Sequence, residues 1–351
     1  MTSADRNDPT STSTHTHNET NRQWLLERRP QGMVRTEDFR LHAAAMPVPG
    51  TGEVLVRNTF LSFDPTQRGW LEDRPSYMPP VQLGEPMRAT SVGEVVESRN
   101  PNFKAGDIVQ GMGGWQEYYV GSATGMIGVR KLPAGVPPSW FLGVLGVTGL
   151  TAYFGLLNLG EPQAGQTVLV SGAAGATGSV AGQIARIKGC RVVGIAGGPD
   201  KCRWLRDTAR FDATIDYKSE NVDARIGELC PQGVNVYFEN VGGEILEAAL
   251  NHLALHARIV MCGGISGYND STPAPGPRNL MNIVVQRARM EGFIVIDYFD
   301  RMEQAMADLS GWIQSGQLVQ QEDIQHGFEN IPATLNRLFT GQNLGKQLLQ
   351  L

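Results

Sequence analysis

The sequence predicts an α/β fold: a doubly wound parallel sheet joined to a smaller β-rich barrel. Three observations carry this. Residues 167–171 make an apolar strand, a small-residue turn at 172–178 opens a helix, and residues 191–195 make a second strand. Strand-like and helical runs then alternate as far as residue 296. Before residue 140 that alternation gives way to short strands parted by Gly and Pro turns. The first pattern is a βαβ unit, the second extends it into a parallel sheet, and the third is the signature of a small antiparallel domain.

In chain order, residues 1–20 come first, and nine of them are Ser or Thr. Such a tail cannot bury a core, so it is expected to be disordered, with no part in catalysis. Strands are expected at 52–62, 92–97, 107–110 and 115–120, with a domain of residues 21–140 around them. A Pro/Gly-rich stretch at 133–140 marks the boundary, and a helix over 150–159 leads into the second domain, residues 141–298. Further strands are expected at 213–216, 234–239, 258–262 and 290–296, with helices at 243–253 and 280–287 between them. A helix over 301–315 and a strand–helix–strand piece follow. With the sheet complete, residues 299–351 are expected to return to the first domain.

A chain of 351 residues with 41% hydrophobic and 19% charged residues is an ordinary two-domain globular protein. A net charge of −5, without a Lys/Arg run, argues against a nucleic-acid surface. The first 20 residues hold no apolar core of a signal peptide. Residues 141–160 have spanning length but carry five glycines and no flanking pattern of a membrane span. Cytoplasm is the expected compartment. Cys190, Cys202, Cys230 and Cys262 lack CxxC spacing and read as free buried thiols. His252 and His256 are four apart, which is half of a metal site, so no metal is expected.

The glycine turn carries the chemistry. Ala173 stands at the first position of the G-x-G-x-x-G pattern, and Gly175 and Gly178 keep the other two, with Ala176 and Thr177 between. Bare backbone N–H groups and a helix dipole there suit the diphosphate of a dinucleotide. At the end of the second strand NAD sites carry an acid for the ribose 2′-hydroxyl. Here Gly197 and Gly198 stand instead, and Lys201 follows. A cation without a competing acid suits a 2′-phosphate, so the expected cofactor is NADP; an inward Asp200 would favour NAD.

Taken together, LSFDPTQRG, PSYMPPV, VGEVVES, GLTAYFGLL, the glycine-turn segment, YFENVGG, CGGISGYN, EGFIV, GFENIPA and NLGK resemble one family. The chain is similar, from residue 24 to residue 351, to the zinc-independent branch of the medium-chain dehydrogenase/reductases. Within it the resemblance is to the alkenal and enone double-bond reductases, including prostaglandin and curcumin reductases. It implies a Rossmann domain plus a GroES-like barrel, NADP as cofactor, and a homodimer by analogy. It also implies contacts. Gly175 to Gly178 would cradle the pyrophosphate, and Lys201 and Tyr217 would hold the 2′-phosphate. Asn240 would reach the ribose or pyrophosphate, and Asn343 would reach back from the C-terminal segment. Cys262, Gly263, Gly264, Ile265, Ser266, Gly267 and Tyr268 would flank the nicotinamide on one side, Phe293, Ile294 and Val295 on the other.

The implied reaction is hydride delivery to the β-carbon of an enal or enone. Charge then builds on the carbonyl oxygen, where a donor is needed. By family position that donor is Tyr268, and Tyr77 would wall the substrate mouth. Many relatives have a tyrosine after Asp-Pro where this chain has Thr66, which removes a pocket aromatic. A roomier or more polar substrate site is expected from that loss. A quinone reductase of the same superfamily, and an NADPH-binding redox sensor without turnover, are the two alternatives.

Overall fold

The computed structural model describes residues 20–125, 128–272 and 275–351. The tail expected over residues 1–20 lies outside them, apart from Thr20. That residue opens β1 (Thr20–Leu26), which pairs antiparallel with β2 (Phe39–Ala45). This hairpin was not legible in the sequence. β1 buries Trp24, Leu25 and Leu26 in a row, so it lacks the alternation that announces a strand.

The next strands are β3 (Glu53–Ser62), β4 (Ser91–Ser98), β5 (Ile108–Gly111), β6 (Tyr118–Ser122) and β7 (Arg130–Lys131). β6 begins three residues later than the expected 115–120. Trp115 and Glu117 are drawn instead to the hairpin, where Trp24 N–H meets the Trp115 carbonyl at 2.9 Å and Glu117 N–H meets Arg22 at 3.0 Å. β3 organises this region. Its first half pairs with β6, and β4 runs along its other side.

The second region holds β8 (Thr167–Val170), β9 (Arg191–Ala196), β10 (Ala213–Asp216), β11 (Val234–Glu239), β12 (Leu253–Met261) and β13 (Arg289–Gly292). All pair parallel, in the order β10-β9-β8-β11-β12-β13. This is the doubly wound Rossmann order, with both faces covered. Val168, Val170, Val236 and Phe238 pack into one core, while Leu169, Val193, Ile195 and Tyr237 pack into the other. Burial on both faces is why these strands read as unbroken apolar runs.

Three boundaries differ from expectation. The helix expected at 243–253 is Gly243–Leu250, because Leu253 already pairs with Val234 in β12. The strand expected at 290–296 stops at Gly292, opposite Met261, where its neighbour β12 runs out. The helix expected at 150–159 is α-helical over Val147–Phe154 and wider, π-type, over Gly155–Gly160.

The chain then returns. β14 (Glu322–His326) pairs parallel with β15 (Lys346–Gln350), and β15 pairs antiparallel with the second half of β3. Just before β15, Gly345 N–H donates to the Ala174 carbonyl at 2.8 Å. Lys346 is buried; its Nζ meets the Phe63 carbonyl at 3.0 Å and Asp64 Oδ1 at 2.5 Å. One short loop therefore touches both sheets. Gly345 has φ +74°, and a Cβ there would lie 2.1 Å from the Gln321 carbonyl oxygen, so only glycine fits.

The π-type turn bears on the site. A Cβ on Gly155 would lie 2.4 Å from the Phe293 ring, which borders the crevice described below. Gly155→Ala should push that ring aside and cost about 1–3 kcal/mol by overpacking. Denaturant unfolding reads this; an unchanged midpoint would show that the ring has room to spare.

Candidate active site

The strand order reverses between β8 and β11, and their two carboxyl-end turns lie side by side. After β8 the turn enters helix Ala176–Ile187 with Gly175 as N-cap and no side chain capping it. The first-turn N–H groups of Ala176, Thr177 and Gly178 therefore lack intrahelical partners. Ala173 and Gly178 are buried, and Gly175, Ala176 and Thr177 are half-buried at the rim. A Cβ on Gly178 would lie 2.4 Å from the Gly172 carbonyl oxygen, which keeps helix and strand close. The turn is an open cradle for an anion, and its residues fit a dinucleotide diphosphate.

The turn after β11 is held by a buried acid. Glu239 accepts from Ser171 Oγ at 2.9 Å, Gly242 N–H at 2.7 Å, Val241 N–H and the Tyr237 hydroxyl. Burial pushes its carboxyl up, and these four donors pull it back. Asn240 is locked alongside: its N–H donates to Ser171 Oγ at 2.8 Å and its Nδ2 to the Ser171 carbonyl at 2.7 Å. Its Oδ1 is the amide atom not used in tying the two turns together.

Beyond β9 lies a cluster of cations. Lys201 is half-buried, and its Nζ donates to the Gly341 carbonyl at 2.8 Å. Burial lowers its pKa first, Lys218 and Arg337 lower it further, and Asp323 opposes them. Tyr217 stands beside it at the surface; a Cβ on Gly197 would lie 2.8 Å from the Tyr217 ring. Asp200 points away, its side chain 87% exposed and paired with Arg203 at 2.9 Å. The acid that is near, Asp216, is occupied by the N–H groups of Gly198 at 2.7 Å and Lys218 at 3.1 Å. Crowded, partly desolvated cations suit a dianionic group. Asn343 is buried in the same returning loop, with Nδ2 on the Gly345 carbonyl at 3.0 Å.

At the ends of β12 and β13 a crevice of about 540 Å³ is lined by Met261, Cys262, Gly263, Gly264, Gly292, Phe293, Ile294 and Asp297. Val295 is turned away, packed with Leu150, Phe154 and Ala305. Ile265, Ser266 and Gly267 form a single 3-10 turn, anchored by Ser266 Oγ on the Val241 carbonyl at 2.6 Å. Tyr268 closes that turn, and its phenol oxygen accepts the Gly264 N–H at 3.2 Å. Among the described residues no acceptor takes its own proton. Burial pushes its pKa up, the Gly264 bond draws it down, and nearby Cys262 and Tyr77 add to the rise. The Cys262 thiol is pushed up to about 12 by desolvation and by Glu239, although part of the residue reaches solvent. It is a packing group rather than a nucleophile.

Thr66 and Tyr77 come together from separate segments, Thr66 Oγ1 against the Tyr77 hydroxyl. The tyrosine missing at Thr66 is thus replaced in part by a phenol from the neighbouring loop. Sequence reasoning missed Gly341, Lys218 and Glu239. Glu239 had left a sign, as an acid ending a strand that is otherwise uncharged.

Residues 22–129 match the model of an oxidoreductase N-terminal domain, and residues 176–311 match one described as a zinc-binding dehydrogenase. Among the described residues no group of three or more His, Cys, Asp or Glu could hold a metal. The donors among the described residues do not fit zinc. The chain is 40% identical to the NADPH-dependent curcumin reductase of Escherichia coli, over 94% of this chain and 96% of that protein. It is 37% identical to the NADP-dependent 2-alkenal reductase of Nicotiana tabacum, over 94% and 97%. The crystal structure of CurA in complex with NADPH from Vibrio vulnificus superimposes with a TM-score of 0.89, at 38% identity over 94% of this chain and 98% of that one. The chain belongs to the medium-chain dehydrogenase/reductase family, in the branch of the curcumin, alkenal and prostaglandin reductases.

Proposed function

We propose that this chain is an NADPH-dependent reductase of the carbon–carbon double bond in α,β-unsaturated aldehydes and ketones. The observation that carries the reading is Tyr268, a half-buried and neutral phenol whose hydroxyl stands beside the Cys262–Gly264 edge of the crevice. Residues 21–140 with 299–351 would form the substrate lobe, and residues 141–298 the dinucleotide lobe. The free thiols of the four cysteines support a reducing, cytoplasmic setting.

The bound nicotinamide would supply the hydride. The rest falls to the protein. Gly175, Ala176, Thr177 and Gly178 would hold the diphosphate through backbone N–H groups, with Asn240 and Asn343 on either side. Lys201 and Tyr217 would take the 2′-phosphate. Phe293 and Ile294 would keep water from one side of the reacting carbons. Tyr268 would donate to the substrate carbonyl oxygen as charge grows there, so that an enolate forms next to a fixed donor. Its α-carbon then takes a proton, from Tyr268 or from solvent. Tyr77 and Thr66 would wall the mouth with a hydroxyl pair, which favours substrates with a polar group beyond the enone.

A homodimer is part of the reading. β13 is an edge strand, and beside it Leu280, Met281, Val284 and Val285 are 47–67% exposed. Paired antiparallel to a second copy about Met290, β13 would set Arg289 opposite Glu291 of that copy. An unpaired edge next to an apolar patch calls for such a cover.

Five outcomes test these points. Consumption of NADPH, followed by its absorbance with enals, enones and quinones, should be fastest with the enals and enones. Tyr268→Phe should lower kcat by roughly 10²-fold with similar NADPH affinity; unchanged turnover removes the phenol from the mechanism. Because its pKa is raised, the donor should persist upward, so the wild-type rate should fall only above about pH 10. Lys201→Ala should raise the KM for NADPH roughly tenfold, by loss of a charged contact, and leave that for NADH alone. Equal loss with both coenzymes contradicts the 2′-phosphate assignment. Glu291→Arg should give a monomer by sedimentation where the wild type is a dimer, by setting like charges opposite one another.

A further inference from the structure

We propose that Arg68 is a positioning residue: it clamps Asn269 across the crevice and thereby fixes the neighbouring Tyr268. This rests on the reading of Tyr268 as the group beside the substrate carbonyl.

Arg68 lies in the short helix Thr66–Trp70, and its side chain is 3% exposed. A guanidinium that deep is costly to desolvate, so its bonds decide whether it belongs there. They go to three separate segments. Nη1 donates to Glu72 Oε1 at 2.9 Å. Nε and Nη2 reach the Gly32 carbonyl at 3.3 and 3.2 Å. Nε also donates to Asn269 Oδ1 at 3.1 Å, across 201 positions of sequence. The other end of the same amide, Asn269 Nδ2, points at Met33 Sδ at 3.1 Å. Both ends of Asn269 are therefore gripped from the β-rich side.

The turn that carries Tyr268 needs this grip. Its first end is tied to the parallel sheet through Ser266 Oγ and Val241. Toward its second end the backbone bonds are long: Tyr268 N–H to Ile265 at 3.3 Å, and Asp270 N–H to Gly267 at 3.2 Å. Gly264 and Gly267 leave the turn free to pivot. Asn269, the next residue along, supplies the missing anchor. A planar fork can serve a carbonyl, a carboxylate and an amide in three directions at once, whereas the single ammonium of a lysine cannot. Arg68 thus sets how far Tyr268 stands from the crevice wall without touching substrate itself.

The test uses Arg68→Met and, because a buried charge is altered there, Asn269→Ala, which removes the same bond from the half-buried side. Hydrogen exchange at the amides of residues 265–270 reads the clamp independently of turnover, and it should quicken in both variants. With an enone and NADPH, kcat should fall tenfold or more, roughly what a small misplacement costs, while NADPH affinity holds. In a Tyr268→Phe background the same changes should cost little further rate, because they act through the phenol. Equal losses in both backgrounds, or exchange at the wild-type rate, would overturn the proposal and leave Arg68 a packing residue. If Tyr268→Phe alone keeps full turnover while exchange still quickens, the clamp stands and the catalytic reading of Tyr268 fails.

Discussion

The carboxylate of Glu239 is the interaction on which the crevice depends. Strand order reverses between β8 and β11, so the two turns leaving them diverge and open a gap. Glu239 closes the floor of that gap. It takes Ser171 from one turn and Val241 and Gly242 from the other, while Tyr237 braces it from within its own strand. Its main-chain carbonyl also receives the N–H groups of Cys262 and Gly263, at 2.9 and 3.1 Å. Three consecutive strand ends are thereby fixed to one residue. A buried acid with so many donors is expensive to leave half-satisfied, so the turns hold their relative positions tightly.

Much of this was legible in the sequence, for reasons that are local. Strands buried on both faces spell themselves as apolar runs, and β9 and β11 fall where such runs stand. The glycine turn is legible because a close backbone approach excludes side chains, as at Gly178. Lys201 stood out by charge, as a cation after a strand end without an acid, and Asp200 beside it points outward. What stayed hidden is non-local. β13 ends where its neighbour ends, not where its own apolar residues do. The β1–β2 hairpin is paired and covered by distant segments, which removes its alternation. Arg68 reaches Asn269 across 201 residues, and Gly341 meets Lys201 across 140. At Thr66 the missing aromatic suggested a roomier or more polar site; that the Tyr77 hydroxyl meets Thr66 from another loop was not legible.

The two halves of the site differ in how they treat charge. Around the glycine turn the first-turn N–H groups are left short of intrahelical partners, and the Lys201 ammonium is less favoured than in water. Around Tyr268 the groups are kept neutral, with the phenol and the Cys262 thiol both pushed upward. Anion binding and a dry reacting centre call for these opposite treatments, and one sheet edge provides both.

The returning loop has a consequence for how the protein is made. The glycine turn leaves the ribosome about 170 residues before Gly345, the residue that bridges to it. Until that glycine emerges, the cradle lacks one wall, and Lys201 has no Gly341 carbonyl to lean on. A nascent chain can assemble most of its parallel sheet early, since those contacts are closer in sequence. On the proposed assignment of these residues its grip on a nucleotide would wait for the last strand, which would make coenzyme capture a finishing step of biogenesis rather than a scaffold for it.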